Sequence, residues 1–251
     1  MIRRAGQHHP GRHSRRAVFC ALHETLTRSF GGRRMTYSAA EFFDRFANQY
    51  DAWYTSPEID REDQTVHDRV RWSIKYSRAR SLVDAGCGTG ALLDRLDGEF
   101  PSLEIVGLDV SPRMILQASD KHPGKTFLVA NMDRRFNLGR LFDLAVCNFA
   151  FNYFLRPDIA VENLYRLIGP GGLLMVTLLQ PKRLLYSSCP HRFGLGCPVL
   201  FHGRGTFERG GFRVVVDRPF ALTRAYNRPV LEDAVVARVP WLGNYRILIC
   251  E

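Results

Sequence analysis

The sequence predicts an α/β fold: a doubly wound, mostly parallel sheet of seven strands with an N-terminal helical cap. Three observations carry this. From Ser81 onward, short apolar runs of strand length alternate with segments of helical period. The runs are apolar throughout, as parallel strands covered by helices on both faces are. A glycine-rich turn, "AGCGTG" at Ala85–Gly90, separates the first strand from the helix after it. With 251 residues, 45% of them hydrophobic, the chain can bury a sizeable core.

The elements follow in order. "SAAE" (Ser38–Glu41) has the form of a capping box, a hydroxyl followed three residues later by a carboxylate. Phe42, Phe43, Phe46, Tyr50, Trp53 and Tyr54 then recur on one face of a helix. A second helix is expected from about Asp60 to Tyr76, with Val66, Val70 and Ile74 at four-residue spacing and Pro57 before it. "SLVDA" is the first strand, and "GALLDRLDGEF" the helix after the glycine turn. "EIVGLDV" is the second strand, and "SPRMILQASDKH" a helix with Ser111 as its cap and Pro112 at its first position. "TFLVAN" and "LFDLAVCNFAF" are strands three and four. "RPDIAVENLYRLI" is a helix closed by "GPGG", and "GLLMVTLL" the fifth strand. "FRVVVDRPF" and "NYRILICE" complete the seven, with a helical "VLEDAVVARV" between them. Gln180–Gly205 shows no clear period.

The net charge of +10 suggests a nucleic-acid partner until it is located. Residues 1–35 hold eight Arg against Glu24 alone, so +7 sits there and +3 on the other 216 residues. This segment reads as a basic, disordered or weakly helical tail. It suits a phosphate-binding arm, an Arg-rich targeting segment, or an upstream extension with translation beginning at Met35. The last is favoured, because nothing before Met35 contributes to the pattern that follows. Residues 36–251 are expected to form one domain: a helical cap (36–79), a ligand-binding core (80–179), a substrate loop region (180–211) and C-terminal strands (212–251). No stretch approaches the roughly 20 apolar residues of a membrane span, which predicts a soluble protein. The six cysteines (Cys20, Cys87, Cys147, Cys189, Cys197, Cys250) include no CxxC pair. A reducing, cytoplasmic setting suits them.

A strand, a glycine turn and a helix together place backbone amides at an electropositive helix start. The second strand ends in Asp109, 19 residues beyond Gly90, where a carboxylate accepts hydrogen bonds from the two hydroxyls of a ribose. Gly86, Gly88 and Ala91 match the dinucleotide pattern G-x-G-x-x-G/A, which is weak evidence alone. Two features argue against a pyrophosphate. Asp84, just before the glycines, would repel phosphate and attract a cationic amino group. Gly90 comes one residue earlier than the dinucleotide pattern prefers. A ligand with a ribose, no phosphate and an amino-acid end fits better: S-adenosylmethionine.

"VDAGCGTG", "VGLDVSPRM", "FDLAVCNFAFNYF" and "IGPGGLLMV", arriving in this order, resemble the class I S-adenosylmethionine-dependent methyltransferases of the small-molecule branch. "FDRFANQYDAWY" resembles the helix preceding the sheet in that branch. The resemblance covers about Phe42 to Gly172 and implies a Rossmann-like sheet whose last strand is antiparallel. It implies that Asp84 and the Gly86–Cys87–Gly88 backbone hold the methionine portion. Asp109 would bind the ribose, with Val110 and Met114 flanking the adenine and Asn131–Met132 reading its edge. The commoner pattern has Asp where this chain has Asn131; Asn keeps an acceptor oxygen and loses the charge, and Asp133 would serve if the register differed by two. Asn148 is a further cofactor-side residue.

Methyl transfer from a sulfonium is an in-line displacement that needs alignment and exclusion of water, worth about 7–11 kcal/mol. The sequence names no general base. Tyr50, Asn152 and Tyr153 are the substrate-side candidates, whereas Phe149, Phe151 and Phe154 read as core. "NFAFNY" is not the Asn/Asp-Pro-Pro-aromatic motif of base amino-methyltransferases, which counts against a nucleic-acid partner. Cys189, His191, Cys197 and His202 match no zinc spacing, so no metal site is expected. The expected partner is a small-molecule methyl acceptor. The rival readings are an RNA or protein methyltransferase docking through the tail, an NAD(P)-dependent oxidoreductase, and a cofactor-binding protein without turnover.

Overall fold

The computed structural model describes residues 37–54, 57–96, 98–180, 199–220 and 245–251. The basic tail, most of the expected substrate loop (with Cys189, His191 and Cys197) and the "VLEDAVVARV" segment lie outside the described residues. Two helices come first, α1 (Ala39–Tyr54) and α2 (Pro57–Ser77). The alternating core follows as β1 (Ser81–Ala85), α3 (Ala91–Leu96), β2 (Glu104–Asp109), α4 (Pro112–Lys121), β3 (Thr126–Val129) and β4 (Phe142–Asn148). A 3₁₀ turn (Phe151–Tyr153) leads to α5 (Pro157–Leu167), β5 (Ile168–Leu179), α6 (Arg204–Arg209), β6 (Val214–Phe220) and β7 (Tyr245–Cys250).

The seven strands form one sheet in the order β3-β2-β1-β4-β5-β7-β6. Pairs among β1 to β5 are parallel, and β7 runs antiparallel to both β5 and β6. Chain order reverses between β1 and β4, so their carboxyl ends open a crevice, the usual ligand position in such sheets. Two apolar cores cover the faces. Val83, Val106, Phe142, Leu164, Val176 and Phe207 belong to one, and Val66, Val70, Ile74, Leu82, Leu144 and Met175 to the other. The four-residue spacing of Val66, Val70 and Ile74 thus reports the buried face of α2.

Local chemistry sets the helix starts. Ser38 and Glu41 form the capping box: Ser38 N–H donates to Glu41 Oε2 at 2.9 Å, and Glu41 N–H to Ser38 Oγ at 3.3 Å. Ser111 caps α4 by accepting from Met114 N–H at 3.2 Å, ahead of Pro112.

Several boundaries differ from the sequence reading. The expected fourth strand stops at Asn148, because Phe149 takes a left-handed φ of +55° and turns the chain. The "GPGG" segment is part of β5, with a register shift opposite Phe142–Leu144. Helix α6 falls where no period was visible; a six-residue helix with one buried anchor, Phe207, is too short to show one. No helix among the described residues is long and apolar enough to cross a membrane.

Asp143 pins the start of β1 to β4, accepting from Arg80 N–H at 2.8 Å, Ser81 N–H at 3.0 Å and Ser81 Oγ at 3.0 Å. These bonds, the Arg80 amide first, hold its carboxyl below the ordinary range. Asp143→Ala should destabilise the fold by about 1–2 kcal/mol at pH 7. A lowered carboxyl contributes fully above its unfolded pKa near 4 and loses that contribution as pH falls through its folded value. Urea unfolding at pH 7 and pH 3 should therefore show the wild type–variant gap shrinking at the lower pH.

Candidate active site

The turn after β1 is closed by its own hydrogen bonds. Gly86 N–H and Cys87 N–H both donate to Leu108 O, at 2.7 and 3.0 Å. Gly88 N–H donates to Asp109 Oδ2 at 3.0 Å, and Gly90 N–H to Cys87 O at 3.0 Å. The φ values of Gly86 (+89°) and Gly88 (+54°) explain the glycines. A Cβ on Gly86 would also lie 2.2 Å from Ala150 Cβ. Four amides that a phosphate would need are thus already engaged. The turn therefore does not suit a pyrophosphate.

Asp109 terminates β2 and faces the crevice. One oxygen accepts from Gly88, and the other from Ser111 N–H at 2.8 Å. The Val110 backbone also bonds this carboxylate, and its remaining acceptor capacity can receive a ligand donor such as a ribose hydroxyl. Asp84 is 5% exposed, and its Oδ1 has no hydrogen-bond partner. Desolvation, with the charge of Asp109 second, pushes its carboxyl up to about 7. A buried, unpaired acid of this kind fits a ligand that brings a cation.

A cavity of about 440 Å³ opens beside these groups. Gly86, Gly88, Asp109, Val110, Met114, Asn131, Met132, Asn148, Tyr50 and Tyr153, all named from the sequence, line it. Asp84, Cys87 and Asn152, also named there, do not. Asp84 lies two residues before Gly86, which does line it. Cys87 is buried with its Sγ 3.6 Å from Gly88 O, and desolvation first, then Asp109 and Asp84, raises its thiol well above the ordinary value. It stays a protonated thiol.

The structure corrects the substrate-side placement of Asn152. Its amide is fully buried, accepts from Leu179 N–H at 2.8 Å and donates to Leu200 O at 2.6 Å. It clamps the end of β5 to the segment before α6. The oxygen of Asn131, expected to read adenine, already accepts from Asp133 N–H at 2.8 Å, leaving its second lone pair. Asp133 in turn accepts from Arg156 N–H at 2.8 Å.

Other residues that build the site were not singled out as site residues in the sequence. Tyr245, at the start of β7, reaches the cavity with its ring 5.0 Å from that of Phe149. Phe43 packs edge-on against Tyr153 at 5.0 Å. Asn163 on α5 donates to Met132 O and Arg134 O at 3.0 and 2.9 Å, holding the loop after β3. One missed feature was legible: Asp44, Asn48 and Asp51 form a polar stripe on α1 at helical spacing. Asp44 accepts from Ser111 Oγ at 2.9 Å and Arg113 N–H at 3.0 Å. Asn48 bonds Gln117 at 3.0 Å, and Asp51 bonds Thr89 in the turn. These contacts seat α1 across the crevice, with the Tyr50 ring 3.5 Å from where a Gly88 Cβ would lie.

A family model described as a methyltransferase domain matches residues 83–174. A malonyl-[acyl-carrier protein] O-methyltransferase of Salmonella typhimurium is 35% identical over 56% of this chain and 53% of its own length. A trans-aconitate 2-methyltransferase of Methylobacterium radiotolerans is 30% identical over 59% of each. The chain thus spans little more than half the length of these curated relatives. The CcbJ methyltransferase of Streptomyces caelestis has a similar fold, with a TM-score of 0.60 at 15% identity over 86% of this chain and 99% of its own.

Asp84 allows a stability test. A carboxyl raised on folding makes the native state hold a proton that the unfolded state releases near pH 4, so stability falls as pH rises from there to about 7. Asp84→Asn removes that loss. Calorimetric melts of the ligand-free protein should show the variant more stable than wild type at pH 8, with the difference closing toward pH 4.

Proposed function

We propose that this chain, built on a class I S-adenosylmethionine-dependent methyltransferase domain, transfers a methyl group from S-adenosylmethionine to a small-molecule acceptor. The observation that carries the reading is the closed glycine turn between two acids. Asp109 keeps acceptor capacity for the ribose, and Asp84 is a buried acid awaiting a cation. When bound, S-adenosylmethionine supplies a methyl group already activated by its positive sulfur. The chain's residues bind, orient and exclude water. Val110, Met114 and Met132 form apolar walls for the adenine; Phe43, Tyr50, Phe149, Tyr153 and Tyr245 enclose the side where an acceptor would enter. With the nucleophile held in line, proximity and dehydration lower the barrier without a dedicated base.

Residues 36–251 are read as one catalytic unit, with the acceptor held between α1 and the region after β5. The free, buried Cys87, Cys147 and Cys250 support a cytoplasmic setting. Carboxylates are the acceptor groups suggested by the names of the two curated relatives, and a carrier-bound acyl group is one form such an acceptor could take.

Isothermal calorimetry tests the reading. S-adenosylhomocysteine should bind wild type at one site, and Asp109→Ala should weaken it at least about tenfold through lost bonds to a charged acceptor. Binding of NADH without S-adenosylhomocysteine would overturn the proposal.

A further inference from the structure

Strand β5 carries a single polar side chain in its fully buried stretch Leu173–Leu179: Thr177, with no exposed surface. A buried hydroxyl costs free energy unless it is bonded, and valine would fill the same space. Its bond goes to Asn148: Thr177 Oγ1 lies 3.1 Å from Asn148 Oδ1, and the two residues are register partners across β4 and β5. With the oxygen of the amide held toward β5, its Nδ2 N–H pair makes no bond to the described residues. Asn148 lines the cavity, so those hydrogens are available to a ligand.

The position matters because of what stands beside it. Asp84 pairs with Val146, so Gly86 and Asn148 leave the sheet side by side, two residues further along. An amino acid lying there presents an ammonium and a carboxylate. Asp84 suits the ammonium, but the carboxylate needs donors, and the amides of Gly86, Cys87, Gly88 and Gly90 are all engaged. Ala150 N–H and Phe151 N–H are turned toward Cys147. The Asn148 amide is a neutral donor at the right edge of the turn. We propose that Asn148 receives the carboxylate of the methyl donor's amino-acid end, and that Thr177 is the positioning residue that keeps the amide's N–H groups facing it. This rests on the methyl-donor reading above.

The test compares two ligands that differ at that end. S-adenosylhomocysteine has the carboxylate, and 5′-methylthioadenosine has the same nucleoside and lacks the amino acid. Dissociation constants are measured by calorimetry for wild type, Thr177→Val, Thr177→Ser and Asn148→Asp. Thr177→Val frees the amide to rotate and should weaken S-adenosylhomocysteine about tenfold, the scale of one hydrogen bond to a charged group. It should leave methylthioadenosine within about twofold. Thr177→Ser restores the hydroxyl and should recover wild-type affinity. Asn148→Asp places a negative charge against the carboxylate and should weaken S-adenosylhomocysteine further, again sparing methylthioadenosine. Equal losses for both ligands would mean a merely structural pair and overturn the proposal, as would unchanged S-adenosylhomocysteine affinity in Thr177→Val and Asn148→Asp. If wild type binds neither ligand, the methyl-donor reading itself fails.

Discussion

The hydrogen bond from Gly88 N–H to the Asp109 carboxylate joins the ends of β1 and β2, and the rest of the site depends on it. It forms because Gly88 adopts a positive φ that aims its amide at the neighbouring strand. The same bond occupies the amide that a phosphate would need and fixes Asp109 in the crevice with acceptor capacity to spare. The amides of Gly86 and Cys87 on Leu108 O reinforce the closure. The turn is therefore ordered before any ligand arrives, which lowers the entropy cost of binding.

Around that turn the charges are arranged unevenly. Desolvation pushes the carboxyls of both Asp84 and Asp109 upward, and the charge of Asp109 adds to the effect at Asp84. Two carboxyls kept this close in a buried place are unfavourable for folding. They make sense as a site whose ligand brings the missing positive charge, a local sacrifice of stability of the kind that clusters where function lies. Where Phe43, Tyr50, Phe149, Tyr153 and Tyr245 line the cavity its walls are aromatic, a surface suited to excluding water.

Helix α1 shows how polar contacts assemble a roof. Its apolar cluster is small, Tyr37 and Phe42 with partly buried neighbours. Its attachment to α4 and the glycine turn runs through Asp44, Asn48 and Asp51. Asp44 is the strongest of the three by position, since it meets the amide end of α4, where the helix dipole favours a negative charge. The more exposed pairs with Arg113 and Lys121 contribute little by themselves. By gripping both segments that flank the crevice, α1 links its own seating to the order of the site.

Much of this was legible in the residues because it depends on local rules. Glycines with an acid on either side specify a turn, "SAAE" and "SPRM" specify helix starts, and apolar runs specify strands buried on both faces. Those signals sufficed for the sheet and for ten of the residues that line the cavity. What the sequence could not contain is the pairing of residues far apart in the chain. Asn152 looks the same whether it faces a ligand or clamps Leu179 to Leu200, and only packing decided for the clamp. Tyr245 joins the wall because β7 inserts between β5 and β6, and Thr177 gains its partner from strand register. By itself the sequence determined a glycine turn between strand and helix, flanked by the two acids Asp84 and Asp109, because short-range backbone geometry and residue chemistry settle those. The tertiary structure alone decided which side chains meet across strands, because hydrogen bonds and burial are properties of neighbours in space.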